Sequence, residues 1–225
     1  MMRFYEVSHN NAYNQGMPEI YKIVDGFVDS GSCSVCGKHT GYPAGDLKVQ
    51  MGKTRGRIWP DIIACGSYPC LVVSHQFVNA MRKESIRLVI GGAVLIVHSV
   101  ENGISLGDAP PYYWIDGKPH LAGKMDFEAS GYVDVKFCPM CGNRSDNISL
   151  TYDRRHAKPP PPYVFNYDEA KGFDLFTTDL APSAFFCTDS VYECAKNNKL
   201  TNLSFCPTEQ GVFGTPLKYW NLSRK

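Results

Sequence analysis

The sequence predicts one α+β domain over residues 1–225, built mostly of antiparallel sheet with a few short helices. Short segments rich in aromatic and β-branched residues recur along the chain, which is typical of strands. Two segments of about ten residues carry apolar side chains at helical spacing behind a polar cap. Two Cys-x-x-Cys-Gly motifs complete the pattern and predict a zinc-ribbon-like pair of turns.

The first half of the chain predicts several strands and one helix. Alternating residues favour strands over 3–7 and 20–24, while the glycines and the proline of 41–53 favour loops around a short strand. A buried strand over 70–73 is followed by Ser74, which can cap a helix ending near Glu84. Further strands are predicted over 86–97, with a break near Gly91 and Gly92, and over 112–115.

The second half repeats part of this order. Residues 133–137 alternate and predict a strand that leads into the second cysteine pair. Residues 184–187 predict a buried strand, Thr188 or Asp189 can cap the next helix, and 203–205 predict another strand. Two pseudo-repeats, about 1–115 and 116–225, would each contain one cysteine motif and one strand, cap and helix. The alternative is that so common a pattern occurs twice by chance.

The four cysteines Cys33, Cys36, Cys138 and Cys141 are the strongest chemical signal in the sequence. Two residues between cysteines let a tight turn direct both sulfurs at one ion, and the following glycine can adopt positive φ. The 101 residues between the pairs do not prevent convergence, because the cost of loop closure grows only logarithmically with length. These cysteines therefore predict one structural Zn²⁺ site.

Three other interpretations of the cysteine pairs stay open. They could be redox dithiols, they could form disulfides, or they could be turns that no longer hold a metal. The remaining cysteines lack metal-binding spacing: Cys65, Cys70, Cys187, Cys194 and Cys206. Of these, Cys70, Cys187 and Cys194 fall on predicted apolar faces, where a thiol behaves as a small hydrophobe. A disulfide between Cys65 and Cys70 is allowed by the sequence but is not predicted by it.

Composition and missing motifs narrow the function. The net charge of +1 gives no support to nucleic-acid or membrane binding, and no apolar run could span a bilayer. The first residues lack a secretory signal, so we expect a cytoplasmic protein with reduced thiols. The sequence contains no phosphate-binding glycine loop, no Gly-x-Ser-x-Gly and no His-Glu-x-x-His. We therefore expect a binding protein and not an enzyme.

Taken together, the chain resembles the double-CXXCG motif family of bacterial immunity proteins. The resemblance rests on the two Cys-x-x-Cys-Gly motifs about a hundred residues apart, the opening strand at 3–7, and a proline-rich stretch at 159–162 after the second motif. It implies a single immunity-type domain in the cytoplasm, with metal ligands at Cys33, Cys36, Cys138 and Cys141.

The resemblance also implies a function. Members of that family bind and neutralise the polymorphic or lipoprotein toxins encoded beside them, so the expected partner is a cognate toxin, which could be a nuclease. Candidate contacts are aromatic and acidic, although core packing is the better explanation for the aromatic ones and solvated surface for the acidic ones: Tyr112, Tyr113, Trp114, Tyr219, Trp220, Asp168, Glu169, Asp174 and Asp179. The alternatives are a zinc-ribbon protein that binds nucleic acid and an enzyme with an unrecognised site.

Overall fold

The computed structural model describes residues 3–9, 18–52, 58–63, 65, 70–99, 106–117, 124–133, 135–142, 149–150, 162–166, 173–178 and 184–210. The strands of this part of the chain are β1 Phe4–His9, β2 Ile20–Ser32, β3 His39–Met51, β4 Ile62–Ile63, β5 Leu71–Ser74, β6 Ile90–Ser99, β7 Tyr112–Ile115, β8 Lys124–Met125, β9 Tyr132–Val133, β10 Ser149–Leu150, β11 Phe165–Asn166, β12 Leu175–Phe176, β13 Phe185–Thr188 and β14 Leu203–Pro207. Its α-helices are α1 His75–Lys83 and α2 Asp189–Asn197.

The strands form two main sheets. The larger sheet has the order β2-β3-β6-β7-β5-β4, and the smaller has the order β12-β13-β1-β14. Every pairing in them is antiparallel except that of β3 with β6, which is parallel. Two further pairs, β9 with β10 and β8 with β11, are antiparallel. The predicted α+β class with mostly antiparallel sheet is therefore confirmed.

The helices form where the sequence predicts them. Ser74 precedes α1 in extended conformation, and its Oγ accepts a hydrogen bond from Phe77 N at 3.1 Å, as an N-cap should. Thr188 takes the same place before α2 but makes no side-chain cap bond. Each helix buries one face, comprising Phe77, Val78, Ala80 and Met81 in α1 and Val191, Tyr192, Cys194 and Ala195 in α2. Neither helix has the length and apolar character needed to cross a bilayer.

The two helices also end alike. Ser85 and Lys199 both have positive φ, of 55° and 53°. The backbone N–H of the next residue then donates a hydrogen bond to a carbonyl of the last helical turns. Ile86 N donates to Met81 O and Leu200 N donates to Ala195 O, each at 3.0 Å. The division into pseudo-repeats at residue 115 nevertheless stays a prediction, and β1, from the first half, lies in the sheet formed by strands of the second half.

Three hydrophobic clusters form the core of the described part of the chain. The first core joins the buried faces of α1 and α2 to one face of each main sheet, with Phe77 and Tyr192 among its largest members. The second core covers the opposite face of the larger sheet, around Leu47 and Trp114. The third core, around Phe176 and Phe186, covers the outer face of the smaller sheet.

Two of the predicted strand boundaries are wrong. We expected loops around a short strand over 41–53, but β3 runs through most of that range. The first cysteine turn makes this segment the partner of β2 over the whole length of a hairpin. Its glycines fit at irregular positions, since Gly45 has a φ of +65° and Gly41 lies against the ring of Phe27. Among the described residues, the strand predicted over 133–137 ends at Val133, with only an isolated bridge at 137.

Candidate metal centre

The first cysteine turn lies at the tip of the β2–β3 hairpin. Strand β2 ends at Ser32, one residue before Cys33, and β3 begins soon after the turn. Cys33 N donates to Lys38 O at 2.8 Å, and Gly37 N donates to Cys33 O at 2.8 Å. Gly37 has a φ of +71°, the left-handed conformation that favours glycine. The hairpin therefore fixes both sulfurs at one end of the larger sheet.

The second cysteine turn repeats this geometry. Gly142 N donates to Cys138 O at 2.9 Å, the equivalent of the bond that closes the first turn. Gly142 has a φ of +69°, and a Cβ at either glycine would meet no atom within 4 Å. The backbone conformation, and not a crowded environment, is thus what requires glycine after each pair, as the sequence predicts.

The two turns face each other, and their four thiols form one cluster. The sulfurs of Cys33, Cys36, Cys138 and Cys141 all lie within 4.8 Å of one another. Cys33 Sγ lies 3.8 Å from Cys138 Sγ, and Cys36 Sγ lies 3.5 Å from Cys141 Sγ. A tetrahedron with metal–sulfur bonds of about 2.3 Å has edges of about 3.8 Å. The predicted convergence is confirmed, and the geometry fits a metal ion held by four cysteines.

The sulfurs are too far apart for disulfides between the turns. A disulfide bond is about 2.05 Å long, well below the distances between the two turns, and all nine cysteines are free thiols. A set of four thiolates leaves a tetrahedral metal without an open position for water or substrate. The arrangement can therefore hold an ion for a structural purpose, whereas a catalytic zinc site would offer three protein ligands.

Backbone amides act on the first cysteine of each turn. Hydrogen bonds from the N–H groups of Cys36 and Val35 lower the pKa of Cys33 to about 6. In the second turn, a hydrogen bond from the N–H of Cys141 and a weaker effect of the N–H of Met140 lower the pKa of Cys138. Each turn thus contributes one sulfur whose thiolate is already stabilised, and thiolate is the form that binds metal.

Cys36 behaves differently in the metal-free cluster. A hydrogen bond from Lys38 N–H favours its thiolate, but partial burial and the three neighbouring sulfurs oppose it, and together they raise its pKa to about 12. Adjacent thiolates repel one another, so the cluster cannot hold all its negative charge without a cation. A bound divalent ion would remove this repulsion and favour the fully deprotonated set.

The cluster of four thiols brings distant parts of the chain together. Cys138 is buried and the other three cysteines are partly buried, so the site lies just below the surface. One turn extends from the larger sheet, while the other follows β9, whose Tyr132 packs against the third core on the smaller sheet. A metal here would fasten the end of the β2–β3 hairpin to that segment.

Two other cysteines are close together, although their spacing in the sequence does not predict it. Cys65 Sγ and Cys70 Sγ lie 2.8 Å apart in the second core. Cys187 and Cys194 are buried in the first core, as their apolar settings predict, and Cys206 is partly buried. The antiparallel pairing of β4 with β5, which joins Ile62 to Val73 and Ile63 to Val72, was the missing signal, because it brings the segments that carry Cys65 and Cys70 together.

Of the aromatic candidates for partner binding, those that the structure describes are wholly or partly buried. Tyr112 and Trp114 are buried in the second core, with Tyr112 Oη donating to Pro60 O and Trp114 Nε1 to Gly45 O, so their role is core packing. Tyr113 is partly buried against the first core. The candidates Tyr219, Trp220, Asp168, Glu169 and Asp179 lie outside the described residues.

Asp174 is the one acidic candidate within the described residues. Its Oδ2 accepts a hydrogen bond from Arg87 N at 2.9 Å, and its Oδ1 accepts one from Thr188 Oγ1 at 3.0 Å. These contacts join Asp174, which precedes β12, to the segment after α1 and to the end of β13. Asp174 therefore has a structural role.

Comparison with known proteins adds no family. No protein-family model matches this sequence, and no curated protein matches it. The double-CXXCG resemblance therefore stays a prediction that rests on the residues that suggested it.

Proposed function

We propose that this protein is a cytoplasmic immunity protein that binds a cognate bacterial toxin domain and occludes its active site, with one structural Zn²⁺ fastening its fold. The observation that carries the proposal is the closed set of four thiols described above. A metal enclosed by four cysteines supports a scaffold and cannot take part directly in turnover. The double-CXXCG resemblance supplies the toxin as the partner.

The uncovered half of the larger sheet supports a binding role. Tyr113 and Val73 face α1 and α2, and Ala93 is the cross-strand partner of Tyr113 on the same face. Leu95 and Val97 continue that face along β6, but the helices do not cover them, and they are 57% and 45% exposed. Large apolar side chains left in solvent on a regular sheet are typical of surfaces that bind other proteins.

Neighbouring strands extend this exposed surface. Lys48 on β3 pairs with Leu95 and forms an ion pair with Asp25 of β2 at 3.0 Å. Val28 and its cross-strand partner Tyr42 are also exposed, by 41% and 48%. We call these residues the β2–β3–β6 surface. An apolar centre beside a polar ion pair matches the usual composition of a protein interface.

Steric occlusion requires no catalytic group in the inhibitor. A rigid sheet that covers the entrance of a toxin's active site excludes substrate as long as the complex persists, so the affinity determines the protection. The metal would contribute indirectly, because the hairpin that carries Val28 and Tyr42 ends at the cluster of four thiols. Fixing that hairpin before binding lowers the entropy lost on association.

Co-expression tests the proposed function. The toxin gene adjacent to this gene in the source genome is induced in a heterologous host, with and without this protein, and growth is recorded. We expect growth only when both proteins are produced, and a stoichiometric complex on gel filtration that shows no turnover of the toxin. Continued toxicity together with separate elution of the two proteins would overturn the proposal.

A further inference from the structure

We propose that Cys65 and Cys70 form a disulfide that closes the β4–β5 hairpin within the second core. This inference is independent of the proposed function, because it rests on the position of two thiols outside the metal cluster. The two sulfurs lie 2.8 Å apart and both residues are buried.

The hairpin register places the two residues opposite each other. Ile62 pairs with Val73 and Ile63 pairs with Val72 in antiparallel orientation. Extending this register by two residues on each strand sets Cys65 against Cys70. Directly opposed residues of an antiparallel pair have Cα atoms about 4.5 to 5.5 Å apart, which lies within the range that a disulfide spans.

The distance between the two sulfurs distinguishes this pair from the cluster of four thiols. Sulfurs that share a tetrahedral metal lie about 3.8 Å apart, close to the distances between the two cysteine turns. Cys65 and Cys70 are about 1 Å closer, which is too near for two ligands of one ion, so a shift of about 0.75 Å would bring the sulfurs to the length of a covalent S–S bond. The geometry therefore fits a bond between the sulfurs better than a shared ligand.

The chemical step needs a two-electron oxidant, for which a low-molecular-weight disulfide is sufficient. The thiolate of one cysteine attacks a sulfur of the oxidant, whose S–S bond breaks and releases one thiolate. The second protein thiolate then attacks the protein sulfur of the mixed disulfide and releases the other half of the oxidant. Two protein thiols lose two electrons and two protons, and the oxidant becomes two thiols.

Burial determines when this step occurs. The neighbouring thiol of Cys70 and the burial of the site raise the pKa of Cys65 well above its ordinary value, so little thiolate is present in the closed hairpin. Exchange is therefore slow in the folded protein and faster when the hairpin opens. The same burial slows attack by reductants on the finished bond, as for other buried disulfides.

The disulfide would stabilise a structurally central hairpin. Asp61, just before β4, and Ser74, at the end of β5, are joined by a side-chain hydrogen bond of 2.5 Å. A disulfide from Cys65 to Cys70 closes a ring of about six residues, which reduces the number of conformations open to the unfolded chain. For a protein of this size we expect the melting temperature to rise by about 4 to 8 °C.

Mass spectrometry tests the proposal. Full-length, zinc-loaded protein is fully reduced and then equilibrated with glutathione disulfide. It is next denatured in N-ethylmaleimide to label the remaining thiols. We expect seven labels on the nine cysteines, and a peptide in which Cys65 is linked to Cys70. Nine labels, or a link from either residue to another cysteine, would overturn the proposal.

A stability measurement provides a second test, with matched variants. Melting is recorded with and without a non-chelating phosphine reductant, for the wild type and for the double variant Cys65→Ala/Cys70→Ala. We expect the oxidised wild type to lose its added stability on reduction and the double variant to be insensitive to the reductant. Equal melting temperatures for linked and reduced wild type would overturn the stabilising role. If the double variant fails to fold, the labelling result still decides whether the bond forms.

Discussion

Asp61 binds Thr201 although 140 residues separate them in the chain. Asp61 Oδ2 accepts hydrogen bonds from Thr201 N at 2.7 Å and from Thr201 Oγ1 at 2.9 Å, while Asp61 N donates to Thr201 Oγ1 at 2.8 Å. Ser74 Oγ donates a hydrogen bond to the other carboxylate oxygen, Asp61 Oδ1, at 2.5 Å. One buried carboxylate thus joins the start of β4, the cap of α1 and the loop after α2.

Asp174 makes the corresponding contacts around the other helix. Its Oδ2 accepts from Arg87 N, which follows α1, and its Oδ1 accepts from Thr188, the cap residue of α2. Each aspartate therefore binds the cap of the helix that follows it and the loop after the other helix. This reciprocal exchange explains how the two strand–helix units hold each other together.

Replacing Asp61 by Ala should destabilise the protein by about 3 kcal/mol. Asp61 is 5% exposed, so the donors of Ser74 and Thr201 would be left without a partner in the interior. Asp174→Ala is the matched control and should cost about 1 kcal/mol, because its site is partly open to water. Urea denaturation followed by circular dichroism measures both values. Equal losses for the two variants would contradict the importance of burial at Asp61.

Gly92→Ala should also destabilise the fold, by about 2 to 4 kcal/mol. A Cβ at Gly92 would collide with the backbone carbonyl of Gly45, which accepts the hydrogen bond of Trp114 Nε1. Strands β3 and β6 would have to separate there. Gly52→Ala is the control, since its Cβ would meet only ordinary contacts at 3.5 Å or more. Thermal melting of the two variants should differ by several degrees, and unchanged melting of Gly92→Ala would contradict this packing.

Glu6→Gln should stabilise the protein at neutral pH. Burial raises the pKa of the Glu6 carboxyl above 4.5, so ionising this group in the folded state carries a cost. Wild type should therefore match the variant below pH 4.5 and become the less stable of the two as pH rises through the folded-state pKa. Melting temperatures between pH 4 and 8 test this, with the exposed Glu128→Gln as control. A constant difference between Glu6→Gln and wild type at all pH values would contradict the assignment.

The sequence was most informative about local structure. Ser74, the apolar spacing behind it and the residues near Glu84 predict α1 to within a residue, because a cap and a buried stripe are local properties. The cluster of four thiols was predictable for the same reason, since each half of it is a turn of five residues. Exact agreement at β7 follows from four consecutive residues with strong β preference.

Long-range pairing could not be predicted in this way. Nothing local indicates that β1 inserts between β13 and β14, or that β3 lies parallel to β6. The length of β3 was missed because the glycines of 41–53 resemble loop residues, whereas the first cysteine turn makes the segment one side of a hairpin. The hydrogen bonds between Asp61 and Thr201 likewise depend on tertiary packing, because both residue types are mostly exposed in proteins and nothing local marks these two as partners.

If the proposed function holds, Leu95→Glu should weaken toxin binding at least tenfold with little effect on stability. Leu95 is 57% exposed on the β2–β3–β6 surface, so a charge there is tolerated in the free protein but would be buried in a complex. Ile58→Glu is the control, because Ile58 is also exposed, by 49%, but precedes β4 outside this surface. Calorimetric titration with the toxin measures both affinities. Full affinity of Leu95→Glu would place the interface elsewhere.

The metal content of the purified protein tests the central claim most directly. Full-length protein is prepared without chelators or an affinity tag that binds metal, and its zinc is measured by inductively coupled plasma mass spectrometry. We expect one Zn²⁺ per chain, less than a tenth of that in Cys33→Ser/Cys138→Ser, and an unchanged content in the control Cys194→Ser. Wild-type protein that contains no metal, and that takes up neither Zn²⁺ nor Co²⁺ when its thiols are reduced, would contradict the account.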